Sequence, residues 1–293
     1  MSDLSLFMEQ NLSSLNMKLS EYVNRLDAPT ILKDSMDYSI QAGGKRIRPL
    51  LILMTLEAFQ KNHDNGLPVA CAVEMVHTYS LIHDDLPSMD DDDFRRGKFT
   101  NHRVFGEANA ILAGDALLTY AFQMIAESPS ISDKHKVQLI FELAKAAGPE
   151  GMVAGQVADI EGENKTLSIK ELEYIHVNKT GRLLAFCIKA GAILADAKEE
   201  IISALEEFSL HLGLAFQIRD DILDIEGSLE TIGKQVGSDE GKQKATYPAL
   251  LTLAGAKEKL TEHINRAKTI LENLPIKNNL LLEMTELIAT RNS

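Results

Sequence analysis

Apolar residues recur at three- and four-residue spacing through almost the whole chain, and no stretch alternates apolar and polar residues with a period of two. Between residues 3 and 26 the series is Leu4, Phe7, Met8, Leu12, Leu15, Leu19 and Val23. That spacing puts one apolar stripe on a helix. The same pattern predicts helices over 29–41, 106–127, 132–147, 151–162, 197–225, 247–272 and 276–290. An apolar run at 50–59 and the segment 68–84, opened by Pro68, add two more. Ser168 and Glu171 have the spacing of a capping box, so a helix is expected from there to about residue 195, interrupted at Lys179-Thr180-Gly181. Gly43-Gly44 breaks the pattern. Residues 60–67, 87–103 and 227–246 read as loops, the last expected to be mobile and to close over a site. The fold class this implies is all-α. A chain of 293 residues can bury a sizeable core. No low-complexity linker divides it, so 1–293 is expected to be a single domain.

The net charge of −13 argues against nucleic acid as a partner. The two cysteines, Cys71 and Cys187, have neither metal-ligand spacing nor the look of a disulfide framework, which fits a reducing compartment. The start of the chain has no basic, apolar leader. No run approaches the ~20 apolar residues of a membrane span. The expectation is a cytoplasmic protein without membrane insertion.

Six aspartates fall within the ten residues from Asp84 to Asp93, directly after an apolar helical segment. Like charges so placed repel one another unless a counter-ion intervenes. Mg²⁺ suits the task, because it takes hard oxygen ligands and usually binds one or two carboxylates together with substrate phosphates. A solvated acidic loop is the plain alternative. A second cluster, Phe216-Gln217-Ile218-Arg219-Asp220-Asp221-Ile222-Leu223-Asp224, places Gln217, Asp220, Asp221 and Asp224 roughly on one helix face. An exposed acidic face is the alternative there. His77 and Asp84 share a face of the first helix. Gly43-Gly44-Lys45-Arg46-Ile47-Arg48-Pro49 puts three cations and a turn at a helix start, an arrangement suited to an anion. Arg95 and Arg96 add a second cationic pair, and Lys179 and Lys234 each lie close to a glycine.

These stretches, with Gly233-Lys234 and Ala245-Thr246-Tyr247-Pro248, occur in the order found in the trans-isoprenyl diphosphate synthases, and from about residue 40 to 250 the chain resembles that family. Within it the chain is most similar to the bacterial branch that forms farnesyl diphosphate, and Pro87-Ser88 fits the two-residue insertion in that branch's first aspartate motif. The resemblance implies the isoprenoid synthase fold, a bundle of about ten or more helices around a deep central cavity, and a homodimer. It implies that an allylic diphosphate is held through three Mg²⁺ by Asp84, Asp85 and Asp90 and by Asp220, Asp221 and Asp224. Arg95, Lys179 and Lys234 would stabilise the departing pyrophosphate. Thr180 and Gln217 would steady the allylic cation. Gly44, Lys45, Arg48, His77 and Arg96 would hold isopentenyl diphosphate. Tyr79, five positions before the first aspartate, would wall off the growing chain and set a C15 product.

Other readings follow from the same residues. A longer-chain synthase making geranylgeranyl diphosphate would need more room than Tyr79 leaves. A class I terpene cyclase has no use for the Gly44-Lys45-Arg48 site. A non-catalytic synthase subunit would have lost aspartates. A metal-storage bundle would carry Glu-x-x-His ligands. Asp91, Asp92, Asp93, Gln156, Asp159, Asp115 and His83 receive no firm role.

Overall fold

The computed structural model describes residues 2–163, 165–226 and 245–291. Its contacts gather into two units, 1–53 with 62–140, and 54–61 with 141–293. Each is built almost wholly of helices, as the periodicity requires.

In the first unit, α1 (Asp3–Asn24) is capped by Ser2, whose side chain accepts from the Ser5 amide at 3.2 Å. This is the usual remedy for unpaired N–H groups at a helix start. Its stripe of Leu4, Phe7, Leu15, Leu19 and Val23 is buried. Helix α2 (Thr30–Ile40) follows, then α3 (Ile47–Ala58), whose residues from Met54 on belong to the second unit, a short 3₁₀ turn (His63–Asn65) and α4 (Leu67–Asp84). Helix α4 carries Pro68 in its first turn, where a missing N–H costs nothing. It is buried on nearly every side from Pro68 to Val76 and packs chiefly on α6 (Glu107–Glu127). A helix apolar all round belongs at the centre of its unit. The short α5 (Asn101–Phe105) is tied to α2 through Asn101, whose side chain accepts from Ser35 Oγ and donates to the Ser35 carbonyl, each at 2.8 Å. The expected loop at 87–103 contains a hairpin of two-residue strands, Phe94–Arg95 and Lys98–Phe99. Arg96 and Gly97 turn it with φ of 52° and 76°. Both residues at positive φ is what a tight hairpin turn needs. Two-residue strands are too short for a period-2 signature.

Helix α7 (Asp133–Ala147) runs from the first unit into the second, which continues with α8 (Met152–Gly162) and α9 (Ile169–His176). The Ser168–Glu171 capping box forms as expected. A π-helical turn, Val177–Gly181, then leads into α10 (Arg182–Leu194). Helix α11 (Glu199–Glu226) is the longest among the described residues. Its length and composition would allow it to cross a membrane, contrary to the reading of the sequence, but half of its apolar window is buried. It packs on α10 and most extensively on α12 (Tyr247–Glu272). Ala215, Ile218 and Ile222 meet Leu172, Tyr247, Ala256, Leu260 and Ile264 in one core cluster. Each large side chain so buried contributes roughly 1.5–3 kcal/mol. Helix α12 is broken at Thr252, where φ is 67° and ψ is 160°. The Thr252 hydroxyl accepts from the Gly255 amide at 3.3 Å and so caps the second segment. Helix α13 (Asn279–Thr290) ends the described fold.

Helices α11 and α12 are also joined by two imidazoles. The Nδ1 atoms of His211 and His263 lie 2.8 Å apart, so one ring donates to the other. Burial lowers both pKa values, and His263, facing His211 and Lys259 with Glu262 opposing, falls to about 4. Glu207 and Arg266 act on His211 with opposite sign. An unfolded histidine titrates near 6.5, so between that pH and about 4 the unfolded chain binds more protons than the folded one. Stability from this pair is complete above that window and falls with pH through it. We expect urea unfolding to show a loss of about 2 kcal/mol from this source between pH 7 and pH 4, and His263→Gln to flatten that slope.

Candidate active site

In the first unit the apolar run of α4 ends in Asp84, with Asp85 as the capping residue. The C-terminal end of a helix already carries partial negative charge, so two carboxylates there raise the demand for a cation. The chain then reverses. The Asp90 amide donates to the Asp84 carbonyl at 2.8 Å, and the Asp91 amide donates to the Leu86 carbonyl at 3.1 Å. This turn brings Asp90 back beside Asp84, and both residues are half-buried.

Asp85 departs from the expected role. It is 3% exposed, and the Arg95 guanidinium grips both its oxygens, with Nε at 2.7 and 2.8 Å and Nη2 at 2.5 Å. Asp85 therefore faces into the protein, and Arg95 is already engaged. Asp92 lies 3.9 Å from Arg95, and Asp93 pairs with Arg103 at 3.1 Å.

The cationic residues of this unit do converge. Arg96 donates to the Gly43 carbonyl, joining the hairpin to the 43–48 turn. Burial, then Arg48, Arg96, Arg95 and Arg46, hold the His77 pKa well below the ordinary histidine value. Two of these four guanidiniums, Arg46 and Arg95, are already paired with the buried carboxylates Glu74 and Asp85. Lys45 is exposed and Arg48 half-buried at the start of α3. Tyr79 is buried and meets His83 edge-on, the ring centroids 5.5 Å apart. An N–H on His83 Nε2 reaches the Ile111 carbonyl on α6 at 3.1 Å, and Asp115 lies 3.9 Å away.

In the second unit Lys179 and Thr180 occupy the π turn, where the sequence led us to expect an interruption. A β-carbon at Gly155 of α8 would lie 2.1 Å from the Lys179 amide nitrogen, so only glycine lets α8 approach. Lys179 Nζ donates to Asp159 Oδ2 at 2.6 Å, which gives Asp159 a partner the sequence did not identify. Gln217, Asp220 and Asp224 share a face of α11 and are half-buried.

Asp221 does not join them. It is 5% exposed, and its Oδ2 accepts from the Tyr247 amide at 2.9 Å, with His176 Nε2 at 3.4 Å. His176 in turn stacks on the Tyr247 ring at 5.6 Å. The carboxylate thus anchors the first turn of α12 rather than the acidic face. Asp220 meets Arg291, whose Nη2 donates to Asp220 Oδ1 at 2.5 Å and to the Phe216 carbonyl at 3.0 Å. Nothing in the sequence pattern pointed to Arg291, a lone cation far from every motif. Lys234 lies outside the described residues.

Among the described residues no three His, Cys, Asp or Glu side chains gather into a preformed metal cage. That is compatible with Mg²⁺, which keeps waters and takes few protein ligands beside phosphate. The donors on the two acidic segments are carboxylate oxygens, the correct chemistry for that ion.

The chain matches the polyprenyl synthetase family model over residues 29–276. It is 60% identical over 287 residues to the farnesyl diphosphate synthase of Geobacillus stearothermophilus, covering 97% of each chain. Identity to the farnesyl diphosphate synthase of Bacillus subtilis strain 168 is 57% over 290 residues, 98% of each. Among solved structures, the apo FPP/GFPP synthase of Zymomonas mobilis superposes with a TM-score of 0.88 at 34% identity, over 98% of this chain and 99% of that one. A protein described as a putative farnesyl-diphosphate synthase, from Marinomonas sp. MED121, gives 0.85, also at 34% identity, over 99% and 100%.

The two adjacent aspartates of α11 should separate by experiment. Asp221→Ala removes a buried hydrogen bond to the Tyr247 amide and should lower stability by about 2 kcal/mol in urea unfolding. Asp220→Ala, at a side chain 42% exposed, should change it by less than about 1 kcal/mol.

Proposed function

Because the chain belongs to the polyprenyl synthetase family, we propose that it is a Mg²⁺-dependent prenyltransferase that condenses isopentenyl diphosphate with dimethylallyl or geranyl diphosphate to give farnesyl diphosphate. The observation that carries this reading is near-full-length identity of 57–60% to two farnesyl diphosphate synthases. The reach of Arg96 to the Gly43 carbonyl, beside Lys45 and Arg48, supports it, since cations so gathered suit a diphosphate. We read 1–293 as one domain, because the family match runs through both units without a break. Two buried free cysteines agree with a cytoplasmic location. Ile111 and Leu112, exposed on α6, offer an apolar surface that a second copy would cover in a homodimer.

In this reading Asp84 and Asp90 of the first unit bind Mg²⁺, as do Asp220 and Asp224 of the second, and the ligand the metal serves is the allylic diphosphate. When bound, the metal acts as a Lewis acid on the phosphate oxygens. Asp85 keeps Arg95 in place, and Asp221 keeps α12 in place. Lys179 and Lys234 put positive charge where negative charge grows as the allylic carbon–oxygen bond breaks. Thr180 and Gln217 turn oxygen dipoles toward the allylic cation. Lys45, Arg48, His77 and Arg96 hold the second diphosphate so that the double bond of isopentenyl diphosphate attacks that cation. The new carbon–carbon bond leaves a tertiary cation, which loses a proton to restore a double bond. His77 is a poor base for that proton, since burial and its guanidinium neighbours disfavour the imidazolium. The released pyrophosphate takes it.

Purified protein incubated with labelled isopentenyl diphosphate, geranyl diphosphate and Mg²⁺ should yield farnesyl diphosphate, and chelation should stop turnover. Asp84→Ala should lower kcat roughly 10³-fold with the fold retained. Absence of any prenyl product from the wild-type protein would refute the reading. Product chain length should extend to C20 or beyond in Tyr79→Ala; an unchanged C15 product would remove Tyr79 as the stop.

A further inference from the structure

Of the three cations in the 43–48 turn, Arg46 behaves unlike its neighbours. Its backbone is left-handed, with φ of 51°, a conformation that residues with a β-carbon seldom adopt. Its side chain is turned inward and is 4% exposed as a residue. Nη1 donates to Glu74 Oε1 at 2.5 Å, Nη2 to the Ile40 carbonyl at 2.5 Å, and Nε to Asn16 Oδ1 at 3.0 Å. One guanidinium thus fastens α1, the end of α2 and α4 to the turn. Glu74 is 2% exposed. It lies one helical turn before His77 on α4, so the two share a face.

The turn has little freedom of its own to spare. Gly43 and Gly44 take φ of 90° and 122°, and a β-carbon on Gly44 would come within 2.6 Å of Arg96 Cζ. The path between Gln41 and Ile47 is therefore set at its start by glycine geometry and Arg96, and at its end by the Arg46–Glu74 pair. Lys45 and Arg48 flank Arg46 and inherit their directions from it.

We propose that Arg46 and Glu74 are positioning residues for the isopentenyl diphosphate subsite. Neither touches the ligand. Together they fix the backbone from which Lys45 and Arg48 project and place that backbone against the His77 face of α4. The geometry favours this over a purely stabilising pair. A buried ion pair is often no more stable than apolar packing of the same volume, whereas its directional bonds define one arrangement. A lysine at position 46 would retain the charge but lose the fork that reaches three partners. This inference rests on the function proposed above for the residue assignments of the subsite.

The test compares wild type with Glu74→Gln and Arg46→Lys. Affinity for isopentenyl diphosphate and for inorganic pyrophosphate is measured by calorimetry without metal, and steady-state constants are measured with Mg²⁺. Both variants should bind isopentenyl diphosphate roughly 10- to 100-fold more weakly and raise its KM by a similar factor. The KM for geranyl diphosphate and kcat should stay within about threefold. Thermal midpoints are read in parallel. Should either variant fail to fold, the double variant Arg46→Met, Glu74→Leu, which leaves no lone buried charge, carries the same comparison. Wild-type affinity and KM in the variants would overturn the proposal. So would an equal loss for both substrates, which marks general loosening. If the wild-type protein makes no prenyl product, the proposed function fails, and the pyrophosphate affinities still decide whether the pair positions the cationic turn.

Discussion

Carboxylates crowded at a helix end repel one another and the last-turn carbonyls, and the structure around both acidic motifs is arranged to relieve that repulsion. The relief takes the same form twice. Adjacent residues on a helix point about 100° apart, so a pair of neighbouring aspartates cannot face one partner. In each motif the second aspartate is turned inward and satisfied by the protein. Asp85 lies under the Arg95 fork, and Asp221 lies on the Tyr247 amide beside His176. The first aspartate of each pair, Asp84 or Asp220, stays half-buried on the side where Asp90 or Asp224 also stands. A run of acid thus places one carboxylate inside and its neighbour at the half-buried face without any change of residue type, although Asp220 on that face is itself held by Arg291.

The cations divide the same way. Arg46 faces in while Lys45 and Arg48 flank it. Arg95 holds Asp85 while its neighbour Arg96 reaches the Gly43 carbonyl. Lys179 is drawn to Asp159. Each inward charge is neutralised by an opposite charge close by, which is the condition for burying it at all. Each outward charge inherits its direction from an inward neighbour. A diphosphate site needs several like charges held close together before the ligand arrives. An alternation of anchored and presented residues supplies that without a self-repelling patch.

What could be read from the sequence follows this division. The helices, the capping box at Ser168 and the interruption at Lys179 were all legible, because period, cap spacing and a glycine are local signals. The convergence of the 43–48 turn, His77 and Arg96 was legible once the motifs were recognised. The inward turns of Asp85, Asp221 and Arg46 were not. Periodicity tells which face a residue takes but not which partner waits there, and those partners are 10, 26 and 28 positions away along the chain. The break at Thr252 gave no sign because threonine is ordinary in a helix and its capping role appears only with the backbone in hand. Arg291 is 71 positions from Asp220, with no motif around it.

Product length, on the proposed reading, then becomes a matter of rigidity as much as of size. An aromatic ring stops a growing chain only if it cannot swing aside. Tyr79 is packed edge-on against His83, and His83 is tied to the Ile111 carbonyl of α6. Its ring lies in the space a β-carbon on Gly114 would fill, 2.1 Å from Nε2. The wall is therefore a pair of rings meeting edge to face between α4 and α6, with a glycine on the second helix making room for the imidazole. His83, which the Tyr79 ring meets, is held by a hydrogen bond across the most extensive helix pairing in the first unit. A small change in α6, well away from either diphosphate, reaches the stop through that imidazole.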